Sequence, residues 1–207
     1  MANARTRGLG KQATRSLVPA SLLLGLAVSA ATLLGVTDVA AREMAGWRVV
    51  GAGPAGIHEG RKYSLYNLDQ KSYLRYRDRR GANLGWSGSP NEAMRVRRRG
   101  GGAGPIKCGE VFALFIEREW IIYGEQTTGI NLTSRTQLSD ASFQWKFGGC
   151  LSGQVIQRDQ PVTLVNIPAG DSVVGCRRVW GVNLCWADTT VTVGGQNFHK
   201  DALPGIP

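Results

Sequence analysis

Beyond residue 60 the chain alternates short apolar runs with clusters of Gly, Asn, Asp and Ser, and the runs recur in sets of four. Each set opens on an apolar run: Tyr63-Ser64-Leu65-Tyr66, Val111-Phe112-Ala113-Leu114-Phe115-Ile116 and Val162-Thr163-Leu164-Val165. A second run follows, in Tyr73-Leu74-Arg75-Tyr76, Ile121-Ile122-Tyr123 and Val173-Val174-Gly175-Cys176. The third opens on a shared motif, G-[AIV]-N-L, at Gly81-Ala82-Asn83-Leu84, Gly129-Ile130-Asn131-Leu132 and Gly181-Val182-Asn183-Leu184. The fourth is Met94-Arg95-Val96, Phe143-Gln144-Trp145-Lys146-Phe147 and Val191-Thr192-Val193. Runs of this length bounded by turn residues specify strands, and no helical periodicity of 10–15 residues interrupts them.

The motif glycines lie 48 and 52 residues apart, so the chain predicts three units of four strands. One such unit cannot bury its apolar face, and the three must close on a shared core. Closure also removes the unpaired edges that make β-rich chains associate. This repeat resembles the β-trefoil superfamily, which includes ricin-B-type lectins, fascin-like modules and Kunitz-type inhibitors. The predicted fold is therefore all-β, a β-trefoil over residues 61–200 with a tail at 201–207; a β-sandwich is the alternative. In G-x-N-L the Gly and Asn suit a turn and the Leu points inward. Trp86 and Trp186 stand at one offset from their glycines, as core or barrel-mouth residues or as a platform for a sugar ring.

Residues 1–41 have the layout of a secretory signal peptide. Arg5, Arg7, Lys11 and Arg15 precede an uncharged stretch over 16–37, and Val39-Ala40-Ala41 supplies small residues for cleavage. An uncleaved membrane anchor is the alternative, since about 20 apolar residues span a bilayer. The chain is thus expected to be secreted. A Gly/Pro-rich segment follows at 42–60. There, Gly51-Ala52-Gly53-Pro54-Ala55-Gly56 matches the dinucleotide pattern G-x-G-x-x-G. That chemistry needs a helix whose N-terminal amides face the pyrophosphate, but Gly60 falls where the helix should run. No dinucleotide cofactor is expected.

The net charge of +10 on 207 residues invites a nucleic-acid reading of the whole protein, which its distribution corrects. Four bases and one acid belong to the leader. Residues 61–107 hold 12 bases and three acids, whereas 108–207 hold seven bases and nine acids. The surplus is a feature of the first unit: Arg75, Arg77, Arg79 and Arg80, then Arg95, Arg97, Arg98 and Arg99. On strands, 75/77/79 and 95/97/99 fall on one face each. Arginine forks bind carboxylate, sulfate and phosphate groups bidentately. Arg75, Arg77, Arg95, Arg97, Arg98, Arg99 and Trp86 are the candidate ligand-binding residues. The expected partner is a carbohydrate, an anionic polymer or a cell surface, with a protein target as a further option.

Cys108, Cys150, Cys176 and Cys185 all lie beyond the leader, and four cysteines in an exported chain imply disulfides. Cys176 and Cys185 fall on adjacent strands of one predicted hairpin, while Cys108 and Cys150 each precede the first strand of a unit. The expected pairs are Cys176–Cys185 and Cys108–Cys150. No C-x2-C pair accompanies them, so a zinc site is not expected.

No catalytic constellation emerges. Gly85-Trp86-Ser87-Gly88-Ser89 misses the last glycine of a nucleophile elbow, and a triad would need His58 or His199 from flanking segments. Glu117 and Glu119 alternate on one predicted strand as a solvated face. The expectation is a secreted, non-enzymatic binding module. Resemblance to ricin-type lectins would place an Asp on the second strand of each sugar-binding unit; Arg75, Ile122 and Val174 stand there instead. Resemblance to Kunitz-type inhibitors implies export, two disulfides with a short one in the third unit, and a basic reactive loop in the first. An inhibitor of that kind, or a toxin or partner-binding subunit, is the alternative function.

Overall fold

A computed structural model describes residues 46–77, 84–125, 130–177 and 183–200. The expected signal segment, the 201–207 tail, Arg79, Arg80 and the motif positions 81–83, 129 and 181–182 lie outside the described residues.

The described residues are all-β, with no α-helix among them. The runs expected of the first set form β2 (Ser64–Asn67), β3 (Ser72–Tyr76), β4 (Leu84–Ser87) and β5 (Met94–Arg98). Then come β6 (Val111–Ile116), β7 (Glu119–Tyr123), β8 (Leu132–Arg135) and β9 (Phe143–Gly148). The chain continues through β10 (Pro161–Asn166), β11 (Asp171–Gly175) and β12 (Leu184–Trp186). Ahead of them all runs β1 (Trp47–Val50); β13 (Thr190–Val193) and β14 (Gln196–His199) follow. The first twelve form one curled antiparallel sheet, and β13 and β14 form a separate hairpin.

Pairings within the sheet return to their start. They run β1–β2, β5–β6, β6–β9, β9–β10 and β10–β1, and a Tyr63–Met94 bridge joins the start of β2 to β5. Six strands therefore share their edges in a ring, which leaves none of the six open to another chain. The hairpins β3–β4, β7–β8 and β11–β12 extend from β2, β6 and β10.

The core lies inside this ring. Leu84, Leu132 and Leu184, the leucines of the three motifs, are buried and line one small apolar space with Leu74, Ile121 and Val173. Burying each such side chain stabilises the fold by about 1.5–3 kcal/mol. Two indoles cross the core with their polar edge satisfied: Trp47 Nε1–H donates to the Val173 carbonyl at 2.6 Å, and Trp145 Nε1–H to the Ile121 carbonyl at 2.6 Å. The Asn91 side-chain amide donates to the Leu74 carbonyl at 2.9 Å. Three strand carbonyls, on β11, β7 and β3, thus receive side-chain donors from Trp47 of β1, Trp145 of β9 and Asn91 just before β5.

One expected strand is placed differently. Val191-Thr192-Val193 was expected to complete the third set, but it pairs only with β14, across a Gly194-Gly195 turn. Both turn glycines have positive φ, which L-residues rarely adopt, so this local hairpin forms readily. Between β10 and β2 lies β1, from the segment expected to be a Gly/Pro-rich loop. Glu117 also departs from expectation. It sits with φ 51° in the two-residue turn between β6 and β7, so it does not share a strand face with Glu119.

Both disulfides pair as expected. Cys108 bonds Cys150 with Cα atoms 6.0 Å apart, and Cys176 bonds Cys185 with Cα atoms 5.9 Å apart. The first ties the approach to β6 to the end of β9; the second staples β12 to the residue after β11.

Candidate functional site

Strand β5 reads Met-Arg-Val-Arg-Arg, and its alternation decides which arginines are free. Met94 and Val96 face the core, so Arg95 and Arg97 point outward. The register carries this outward row across four strands: Arg95 lies opposite Phe115, Phe115 opposite Trp120, and Trp120 opposite Arg135. The Arg95 guanidinium stands 5.5 Å over the Phe115 ring, and Phe115 meets Trp120 at 4.9 Å with the rings inclined by 60°. Arg99 repeats the arrangement, 5.5 Å over Phe143, with an N–H directed to the Asp140 carbonyl. An arginine held over a ring keeps its N–H edge available to an anion.

The other arginines differ. Arg97 forms a 2.9 Å ion pair with Glu59 while 54% of its side chain stays exposed. Arg98 is consumed by the fold. It pairs with Glu110 at 2.6 Å, is only 13% exposed, and donates to the carbonyls of Ala103, Gly104 and Pro105. It clamps the glycine-rich 100–105 loop. Arg75 and Arg77 are exposed on the β3–β4 hairpin. Arg75 reaches the Tyr76 carbonyl, and Arg77 covers Gly85, where a Cβ would come within 2.5 Å of its Cδ. Arg118 lies 5.5 Å over Tyr76, whose backbone N–H donates to Glu117. That contact docks the β6–β7 turn against β3.

Trp86 is half-buried and stacks on Trp47 at 6.3 Å, with the planes 25° apart, against the main core. The structure places it at the rim of the core; it does not belong to the outward row. The Gly51-x-Gly53-x-x-Gly56 segment follows a strand but enters no helix: the Gly56 N–H returns to the Gly53 carbonyl at 2.9 Å to close a turn. Ser87, in the partial elbow motif, uses its hydroxyl on the Ser89 carbonyl. His58 lies beside the Ala55 carbonyl, and the Glu119 carboxylate accepts the Ser134 hydroxyl. Among the described residues no group of three His, Cys, Asp or Glu could hold a metal ion.

Two carboxyls titrate above the ordinary range. Partial burial pushes Asp69 up, against hydrogen bonds from the Asn197 side chain and the Gly175 backbone that favour its charged form. Asp188 is raised chiefly by a shared hydrogen bond with Asp171, then by desolvation and the like charge, with Lys200 opposing.

No known protein family matches the chain, and neither does any curated protein or solved structure compared with it. The site therefore rests on its own geometry. The sequence reading found Arg95, Arg97 and Arg99 but missed Phe115, Trp120, Phe143 and Arg135. Their alternation with buried neighbours was visible in the chain; their pairing to β5 was not.

Proposed function

We propose that this is a secreted, non-enzymatic binding module of β-trefoil architecture that holds carbohydrate or polyanionic ligands on the outward face of β5. The observation that carries the reading is the exposed series Arg95, Arg97 and Arg99 on and just after β5, with Arg95 and Arg99 held over aromatic rings, on a ring-closed, disulfide-tied scaffold. Guanidinium forks recognise sulfate, carboxylate and phosphate, and an exposed row of them beside rings suits a polymer better than a small enclosed substrate.

The trefoil part of the reading has its own support. Trp47 lies opposite Asn67, Met94 opposite Ile116 and Trp145 opposite Asn166, so three fourth-strand positions meet three first-strand positions alike. In this reading the N-terminal strand β1 stands in as the last strand of the third unit. Disulfides accord with export, as does the signal-like leader, and no described helix is long and apolar enough to cross a membrane.

The test is a screen of the oxidised protein against a glycan array, heparin and teichoic acid, repeated with Arg95, Arg97 and Arg99 all replaced by Ala. Binding lost in the variant supports the reading, and binding retained sinks it. The short Cys176–Cys185 bridge also fits a Kunitz-like inhibitor, and tight inhibition of trypsin would transfer the function to that class.

A further inference from the structure

We propose that the row Arg95–Phe115–Trp120–Arg135 is a subsite for an acidic polysaccharide. One sugar ring lies against the Phe115–Trp120 pair, and acidic groups on either side are held by Arg95 and Arg135. The inference rests on the binding-module reading and names the ligand class and the residues that choose it.

The register sets the spacing. Adjacent strands lie about 4.8 Å apart, so three intervals separate the Arg95 and Arg135 backbones by about 14 Å. Two side chains reaching inward from that distance span neighbouring residues of a charged polymer. Between them Phe115 and Trp120 are partly exposed, and Arg135 is exposed on β8. The nearest acid on β7, Glu119, alternates to the opposite face and is engaged by Ser134, so it does not neutralise the row. Arg97 and Arg99 extend the same edge and give a longer chain further anion contacts.

Ring geometry selects the occupant. A nucleobase needs a flat platform, and successive bases need successive platforms. Phe115 and Trp120 are inclined by 60° and form an angled apolar corner. A puckered sugar ring, which presents C–H groups on two faces, fits that corner. The guanidinium at each end then takes a carboxylate or sulfate bidentately.

The test uses the full oxidised protein and three probes: heparin hexasaccharide, oligothymidylate of equal charge, and neutral dextran. Trp120→Ala and Arg135→Ala are each expected to weaken heparin binding roughly tenfold, the loss of one well-placed contact to an anion or its ring. Arg158→Ala, an exposed control far along the chain, is expected to change it less than about twofold. Because Trp120→Ala also removes packing, the assigned Trp120 indole N–H resonance is followed in the unmodified protein and should shift on heparin addition. Heparin binding that survives both Arg135→Ala and Trp120→Ala, with a static Trp120 signal, overturns the subsite while the module reading stands. Tighter binding of oligothymidylate than of heparin overturns the sugar assignment. Failure to bind any charged probe removes the subsite and the polyanion reading together.

Discussion

The indole N–H of Trp47 donates to the carbonyl of Val173 at 2.6 Å, across 126 residues of sequence. This bond ties β1 to β11, while β1 closes the ring of six through its pairings with β2 and β10. It is matched by Trp145 and Ile121, where the same bond forms between residues 24 apart. The two indoles do one job, but only Trp47 does it over long range.

Trp47→Phe is expected to destabilise the protein by about 1–3 kcal/mol, because the Val173 carbonyl is left buried without its donor. Trp47→Ala should cost about 3–5 kcal/mol through the cavity it opens. Urea denaturation followed by tryptophan fluorescence measures both. If Trp47→Ala costs no more than a surface substitution, β1 does not close the ring.

How much of this was legible differs by element. Leu84, Leu132 and Leu184 mark the third strand of each set, and all three are buried as the motif implied. The place of β1 was not read, although Trp47-Arg48-Val49 repeats the Trp145-Lys146-Phe147 order of β9. A strand whose second partner, β10, lies far along the chain leaves no local trace of that pairing, and the Gly-rich residues after it suggested a loop. Arg98 could not be told from Arg97 and Arg99, since a clamp on three carbonyls depends on how the 100–105 loop folds back. Phe115, Trp120 and Arg135 join Arg95 only through register, which sequence alternation leaves open.

Breaking the two disulfides should have unequal effects. The Cys108–Cys150 bridge closes a span of 42 residues and Cys176–Cys185 a span of nine. Loop-closure entropy then gives a cost of about 4 kcal/mol for the double serine variant of the first and about 2.6 kcal/mol for the second. Denaturation midpoints under matched conditions give the order. A larger loss from the short bridge would show that native packing, not unfolded-state entropy, sets its contribution.

Asp188 gives a pH dependence of definite sign. Its backbone N–H donates to Asp171, and the shared hydrogen bond between the two carboxyls favours the protonated Asp188. Its folded pKa lies above 3.8, so the folded chain holds more protons than the unfolded one just above that pH. Stability therefore falls as pH rises through the window and stays lower at neutral pH. Asp188→Asn should raise the melting temperature at pH 7, with the gain vanishing below the ordinary carboxylate range. A gain confined to acid pH would reverse the sign of the argument.

Arg98→Ala separates structure from binding. The substitution removes an ion pair and three bonds to loop carbonyls, and is expected to cost about 2 kcal/mol. Its polyanion affinity should stay within about threefold of the parent protein, because the guanidinium is turned inward. Calorimetry and a binding titration on the same preparation test the two halves. Large loss of affinity with unchanged stability would place Arg98 in the site.

The salt dependence of heparin binding tests the central claim most directly. Affinity is measured across a range of ionic strength for the parent protein and for the Arg95/Arg97/Arg99 triple alanine variant. Exposed guanidiniums that contact anions release counterions, so affinity should fall steeply with salt in the parent and much less in the variant. Equal affinities and equal slopes for the two proteins would contradict the assignment of the β5 face as the binding surface.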